Sequence, residues 1–250
     1  MLTCIYMYRI IIIILLLLFL FFVHFFFLVA CGSDFTLALS KSGTVFAVGT
    51  QQDGVCGTGS TGEYIVSAGR VAYAPIVRFQ KVEGGLLGHH ISDISCGASH
   101  SLALTDNGQV FSWGSGGYGR LGHGDNKDVL SPKSLRLFEI ERMRVAYIST
   151  GSASSYFVTR IGTMIYMSGV AKRSAEANMA PKPLYDLQGL NIRIIASGFS
   201  STHAATENSL IAWGPSPTSG ELGLGEAKKS SSSPALVPEF EKMFIISVCS

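Results

Sequence analysis

The stretch VFSWGSGGYGRLG contains three glycines with the spacing G-x-G-x-x-G, namely Gly114, Gly116 and Gly119. This spacing can hold a dinucleotide pyrophosphate when a strand precedes the glycines and a helix follows them, because free amides at the helix start then face the phosphates. The residues before Gly114 are compatible with a strand. The residues after Gly119 are rich in glycine and reach a serine-proline pair too soon for a helix of about ten residues. We therefore predict that these glycines form a turn, and we expect no cofactor.

Metal and acid–base chemistry find little support in the sequence. His123 and His203 have no partner at metal-ligand spacing. The carboxylates near His100 are Asp93, Asp106 and Asp125, of which a turn accounts for Asp106 and an exposed loop for Asp125. The five cysteines contain no C-x-x-C pair, so we predict free thiols rather than disulfides or a zinc site. These cysteines are Cys4, Cys31, Cys56, Cys96 and Cys249. The sequence predicts no catalytic residue and no metal.

The composition narrows the fold class and the possible partners. Charged residues make up 14 % of the 250-residue chain, and glycine occurs 28 times. Frequent glycine argues against a helix-rich domain, because a glycine inside a helix costs about 1 kcal/mol relative to alanine. The formal net charge is only +2, so charge alone predicts no nucleic-acid partner.

The N-terminal segment is strongly apolar from Ile10 to Ala30, with His24 as its only polar residue. It is long enough to cross a bilayer as a helix, which takes about 20 residues. Two interpretations stay open: a genuine membrane anchor or leader, or a translated non-coding tract, since nearly all of its residues have T-rich codons. We assign 1–28 to this hydrophobic leader and 29–250 to the folded region.

The remaining chain contains one unit four times. Each unit has a first glycine, an alternating strand, a tight turn such as Asn107-Gly108, a second strand and a second glycine. The glycine pairs are Gly32 and Gly49, Gly97 and Gly114, Gly151 and Gly169, and Gly198 and Gly214. A unit of roughly fifty residues built from short strands is typical of a propeller blade.

This reading predicts an all-β fold with about four blades, which form either a closed four-bladed ring or an incomplete β-propeller. Trp113 and Trp213 end their strands where a flat ring can fill the gap between neighbouring blades. We place an outer strand at Lys133–Phe138. The segment Pro75–His90 is either an ordinary outer strand or an extra hairpin that projects from the ring.

Residues Cys96–Gly122 resemble the signature of the regulator of chromosome condensation repeat, CGxxHxLALT followed by a G.V.xWGxxxxGxLG line. The resemblance extends in weaker form over about Val29–Ser250, and it is closest to the telophase-disc type of the family. Family members form seven-bladed propellers, so the resemblance implies about four of seven blades. It also implies a binding module with at most nucleotide-exchange activity on a small GTPase of the Rho, Ral or Ran type.

The same resemblance implies a nuclear or cytoplasmic location and a link to cell division, with chromatin or microtubule-associated complexes as further partners. The alternative is a membrane-anchored or secreted propeller scaffold without exchange activity, if the leader is genuine. In this reading the membrane is a partner only through the N-terminal segment.

Candidate partner-binding residues are loop and edge side chains of types common at interfaces. Tyr118 and Arg120 share one glycine-rich loop, and His100 occupies the signature histidine position, where a repeated structural role is the competing interpretation. The full set is Tyr118, Arg120, His100, Arg78, Lys81, Lys228 and Lys229.

Overall fold

The computed structural model describes residues 26–161, 164–170, 176–214, 220–225, 231 and 233–248. These residues form β-strands and short 3-10 turns, as the sequence predicts, with no α-helix among them. No helix in this part of the chain could therefore span a membrane. The predicted leader lies outside the described residues except for its last three, with which the first strand begins.

The strands form four successive antiparallel sheets of four strands each, which we call blades 1 to 4. Blade 1 contains β1 (Phe26–Cys31), β2 (Phe35–Ser40), β3 (Val45–Gly49) and, after a separate pair of strands β4 (Glu63–Ile65) and β5 (Val71–Tyr73), the outer strand β6 (Ile76–Lys81). Blade 2 contains β7 (Ile91–Cys96), β8 (His100–Thr105), β9 (Val110–Gly114) and β10 (Val129–Ser134). Blade 3 contains β11 (Val145–Thr150), β12 (Ser154–Thr159), β13 (Ile165–Gly169) and β14 (Asn178–Pro183). Blade 4 contains β15 (Ile194–Ser197), β16 (Thr202–Ala205), β17 (Leu210–Trp213) and β18 (Ala235–Leu236).

The apolar core lies between successive blades, because the sheets of blades 2 and 3 are each covered on both faces by a neighbouring blade. Every residue of β8 and β12 is buried. Trp113 is fully buried in a cluster that joins blades 1 and 2, and Trp213 lies in the cluster that joins blades 3 and 4. The Trp213 ring packs edge-on against Tyr156 of blade 3, with ring centroids 5.9 Å apart. The predicted role of both tryptophans between blades is confirmed.

The paired glycines serve the same backbone geometry in all four blades. A Cβ added at each second glycine would clash with a carbonyl oxygen one or two residues before the blade's second strand. These glycine–carbonyl pairs are Gly49 with Asp34, Gly114 with Ser99, Gly169 with Ala153, and Gly214 with Ser200. The N–H of each first glycine donates to the carbonyl three residues later, at 2.8–2.9 Å. The first glycines are Gly32, Gly97, Gly151 and Gly198. Glycine is required at the second position because no side chain fits there.

Each blade has two ends with different loops. The glycine pairs and the loops that follow the third strand lie at one end, which we call the glycine face. The tight turns between second and third strands lie at the other end, the turn face. Here the first strand of one blade bonds to the turn of the preceding blade: Ile91 N–H donates to Gly43 O at 3.1 Å, and Val145 N–H to Gly108 O at 2.9 Å.

One sequence-based assignment of an outer strand differs from the structure, and the structure decides between the two alternatives left open for another. The strand predicted at Lys133–Phe138 is wrong in its bounds, since β10 ends at Ser134 and the residues from Arg136 form a 3-10 turn. Leu135 and Phe138 are apolar because they enter the core beneath the sheet. The segment Pro75–His90 contains an ordinary outer strand, β6, which pairs with β3.

The hairpin that does project is formed by β4 and β5, whose strands have three residues each and pair only with each other. It belongs to the loop after β3 and therefore lies on the glycine face. The described cysteines, Cys31, Cys56 and Cys96, are free thiols as predicted. Cys4 and Cys249 lie outside the described residues.

Candidate partner-binding site

The loop after β9 forms a tight 3-10 turn at Gly117–Gly119 on the glycine face. Tyr118, at its centre, has φ +61° and ψ +14°, and its side chain is 63 % exposed. The N–H of Gly116 donates to Asp128 Oδ1 at 2.8 Å, so this amide is not available to a phosphate. Among the residues that the structure describes, no α-helix follows the turn. The prediction that these glycines form a turn is confirmed.

Arg120 fixes this turn against the next blade. Its Nε donates to Gly117 O at 2.8 Å, and its Nη1 donates to Ser152 O of blade 3 at 3.2 Å. The guanidinium carbon lies 5.8 Å from the centre of the Tyr118 ring, within cation–π range. Arg120 is therefore held within the protein and supports Tyr118, which is the exposed member of the pair.

The carboxylates of Asp53 in blade 1 and Asp128 in blade 2 influence the pKa of Arg120. Burial raises the pKa of Asp53 in blade 1, the nearby Asp128 raises it further, and Arg120 opposes them. Burial lowers the pKa of Arg120, whereas Tyr118, Asp53 and Asp128 raise it. Asp53 occupies the same turn position as Tyr118 and shares its left-handed backbone, with φ +56°. The cluster therefore holds two acids around one base that the protein itself binds.

The loop residue after this turn supplies a main-chain acceptor to the next blade. In blade 1 it is Val55, whose carbonyl accepts from Ser101 Oγ at 3.0 Å and from Trp113 Nε1 at 2.8 Å. In blade 2 the equivalent carbonyl is that of Arg120, which accepts from Ser155 Oγ at 2.7 Å and from Ser168 Oγ at 3.1 Å. The same pair of strand positions provides the donors at both interfaces, as is expected of a repeated structural unit.

Comparison with known proteins identifies this repeat. Two sequence models of the regulator of chromosome condensation (RCC1) repeat match the chain, one at residues 28–55 and 91–120 and the other at 42–104 and 107–158. Together these matches span just over half of the chain. The chain belongs to the RCC1 repeat family.

Its relatives include two proteins named for RCC2. The Protein RCC2 homolog of Xenopus laevis is 37 % identical over 218 residues, which are 83 % of this chain and 42 % of that protein. Protein RCC2 of Homo sapiens is 36 % identical over the same shares. The chain thus spans less than half the length of these relatives. The resemblance to the telophase-disc type is confirmed.

Solved structures support the same fold. The crystal structure of human WBSCR16 superposes with a TM-score of 0.69 at 24 % identity, covering 85 % of this chain and 52 % of that one. Prp20p of Saccharomyces cerevisiae superposes with a TM-score of 0.61 at 18 % identity, covering 89 % of this chain and 67 % of that one. Both confirm the RCC1-type β-propeller architecture.

The signature histidine of the RCC1 repeat is structural in this chain. His100 is fully buried, and its Nε2 lies 2.9 Å from Ser155 Oγ of blade 3. Because the Ser155 hydroxyl donates its proton to Arg120 O, it accepts the Nε2–H of His100. Burial, reinforced by the charge of Arg120, lowers the pKa of His100 to about 3, so the ring is neutral at pH 7. The prediction of His100 as a partner-contacting residue is wrong.

The other predicted residues of this RCC1-type chain do not gather around Tyr118. Arg78 and Lys81 are exposed on β6, the outer edge of blade 1, and Lys81 Nζ pairs with Glu83 Oε1 at 3.3 Å. Lys228 and Lys229 lie outside the described residues.

The sequence analysis missed the exposed apolar residues of the projecting hairpin. Tyr64 and Val71 are 50 % exposed and Ile65 is 76 % exposed, all on the same face as Tyr118. Three apolar residues clustered in a polar, glycine-containing loop were the available signal.

Proposed function

We propose that this chain is part of a protein-interaction propeller that binds a small GTPase through its glycine face and promotes nucleotide exchange on it. Membership of the RCC1 repeat family supports the interaction role. The yeast relative Prp20p has been described together with its binding to Gsp1p and histones. The nuclear or cytoplasmic location, the cell-division link and the chromosome-associated partners implied by the family belong to the same proposal.

Exchange activity requires no nucleophile and no acid–base pair. A protein accelerates nucleotide release when it binds the nucleotide-free GTPase more tightly than the loaded one and so shifts the population toward the empty state. The site must therefore be a shaped, rigid surface. This requirement fits a propeller face whose loops are tied to neighbouring blades.

The observation that carries the proposal is the exposed Tyr118 ring held in a left-handed turn. A tyrosine with φ +61° is strained by about 1–2 kcal/mol, and such strain persists where surrounding contacts impose it. The hydrogen bonds of Arg120 hold this turn against Gly117 O and against Ser152 O of blade 3. Rigid aromatic anchors are typical of binding hot spots. The apolar hairpin of β4 and β5 provides a second contact region on the same face.

The test uses the full chain with small GTPases of the Rho, Ral and Ran types, each loaded with a fluorescent nucleotide. We expect Tyr118→Ala to weaken binding by about tenfold or more, because central aromatic anchors contribute about 2 kcal/mol. The matched control is Tyr185→Ala, which removes an equally exposed tyrosine from the turn face. Binding is measured by surface plasmon resonance and release by loss of fluorescence.

The outcomes separate the two parts of the proposal. Binding that depends on Tyr118 but leaves nucleotide release unchanged removes exchange and keeps a scaffold role. Equal effects of the two tyrosine variants, or no binding to any of the three GTPase types, would overturn the glycine-face proposal.

A further inference from the structure

A cavity of about 450 Å³ opens between the outer parts of blades 2 and 3. Its blade 2 wall is formed by the loop at 122–124, the end of β10 and the turn that follows it, and its blade 3 wall by Ala180 and Pro181. This volume falls in the range of small-ligand pockets, about 300–1,000 Å³. No role in the fold accounts for it.

Three basic side chains line this cavity, and no carboxylate does. They are His123 from the loop, Lys133 from β10 and Arg136 from the following turn. Neither Lys133 nor Arg136 takes part in an ion pair among the residues that the structure describes. The nearby carboxylate of Glu139 already accepts a hydrogen bond from Ser134 Oγ at 2.6 Å. The cavity therefore presents positive charge that the protein itself does not neutralise.

The repeat shows that the scaffold does not need these bases. Lys133 pairs with Ser112 in the register in which Gln80 of blade 1 pairs with Ala47. Counting from these pairs, blade 1 has Glu83 where blade 2 has the arginine, and Thr58 where blade 2 has the histidine. Blade 1 forms the same sheet with no base at any of the three positions.

The histidine is arranged to gain a proton when an anion approaches. Ser112 Oγ donates to Leu121 O at 2.7 Å, so it accepts the Nε2–H of His123 at 3.0 Å. The other ring nitrogen is then the one that takes up a proton. Burial lowers the pKa of His123 and the charge of Lys133 lowers it further, while Asp125 opposes them. A dianion in the cavity reverses the influence of the lysine.

We propose that this cavity binds a phosphorylated side chain of a partner protein, with Lys133, Arg136 and His123 contacting the phosphate. Three basic groups, one from the loop after β9 and two from the end of β10 and its following turn, suit the three free oxygens of a phosphate ester, and arginine binds such oxygens in a fork. The volume exceeds that of a phosphate group alone. Leu135, Leu137 and Pro181 line the remaining space and contact the carbon atoms of the phosphorylated residue.

The test is a titration of the full chain with N-acetyl-phosphoserine N-methylamide, followed by NMR at the imidazole of His123. We expect saturable shifts, and a rise in the pKa of His123 in the bound state. The unphosphorylated serine compound should produce no shift. Inorganic phosphate serves as a separate arm, and binding as tight as that of the phosphoserine compound would overturn the peptide assignment.

Charge-removing variants test the residues directly. The double variant Lys133→Gln, Arg136→Gln should lose about tenfold in affinity for each deleted cation, since charge-assisted hydrogen bonds have about that effect. Both side chains are exposed, so the fold is retained, and an unchanged melting temperature checks this. Lys41→Gln, an exposed lysine on a tight turn of blade 1, is the matched control and should bind like the native chain. Unchanged affinity in the double variant would overturn the proposal.

Discussion

The interface between blades 1 and 2 and the interface between blades 2 and 3 share one main-chain acceptor position and differ in the side chains around it. At the first interface the acceptor belongs to Val55, and a buried tryptophan supplies one of its two donors. At the second it belongs to Arg120, and two serines supply both donors. A buried histidine adds to the second interface, where blade 1 has Phe35 in the equivalent position.

The difference shows how the repeat separates folding from function. Because the acceptor is a backbone carbonyl, the side chain at that position is free to be valine in one blade and arginine in the next. Both interfaces bury an apolar cluster. Around the shared acceptor, the first interface adds the Trp113 ring, and the second adds a hydrogen-bond network of His100, Ser155 and Ser168.

The largest expected effect is on the interface between blades 1 and 2. Trp113→Ala should lower the free energy of unfolding by about 3–5 kcal/mol, because it opens a cavity between blades and removes a donor to Val55 O. Urea denaturation monitored by circular dichroism measures this change. Trp113→Phe, which keeps most of the volume, should lose clearly less. An equal loss in both variants would show that the hydrogen bond, and not burial, dominates this interface.

A pH dependence of stability should distinguish the interface between blades 2 and 3. The pKa of His100 is about 3 when folded and 6.5 when unfolded, so its contribution to stability is full above pH 6.5 and falls as pH drops toward 3. At pH 5 this linkage removes about 2 kcal/mol. In His100→Phe, which copies the blade 1 residue, that loss should disappear.

The measurement is the free energy of unfolding at pH 7 and pH 5 in both proteins. Groups such as Asp93, whose pKa burial raises to about 6, titrate in both proteins and cancel in the difference. A phenylalanine ring fits, since Gly32 accommodates Phe35 as Gly97 accommodates His100. Identical pH dependence in the two proteins would contradict the buried neutral histidine.

The smallest expected effect compares two buried serines in the same role. Ser101→Ala should cost about 1 kcal/mol, because Val55 O keeps its bond from Trp113. Ser155→Ala should cost about 2 kcal/mol, because it also leaves the Nε2–H of His100 without an acceptor. Thermal and urea unfolding of both variants measure the difference. Equal costs would show that the histidine bond adds nothing to the second interface.

The sequence predicted those features that local backbone geometry determines. The second glycines recur at a fixed position in all four blades because a carbonyl oxygen leaves no room for a side chain there. The bounds of β10 were mispredicted because Leu135 and Phe138 are apolar for the core and not for a strand. The projecting hairpin was missed because strands of three exposed residues have no burial pattern.

The role of His100 could not be predicted from the sequence in the same way. Its partner, Ser155, lies 55 residues away and meets it only across a blade interface. The same holds for Arg120, whose contact with Ser152 O converts a surface base into a structural one. Contacts between blades depend on how sheets stack, and no local pattern contains that information.

The bonds at the turn face have a consequence for recognition. Ile91 and Val145 tie blades 2 and 3 to the turn of the blade before each of them at one end, while the hydroxyls of Ser101 and Ser155 tie the same blades at the other. With both ends fastened, neighbouring sheets cannot rock against each other without breaking bonds. A partner protein therefore binds to a preorganised surface, and this chain loses little backbone entropy when the complex forms.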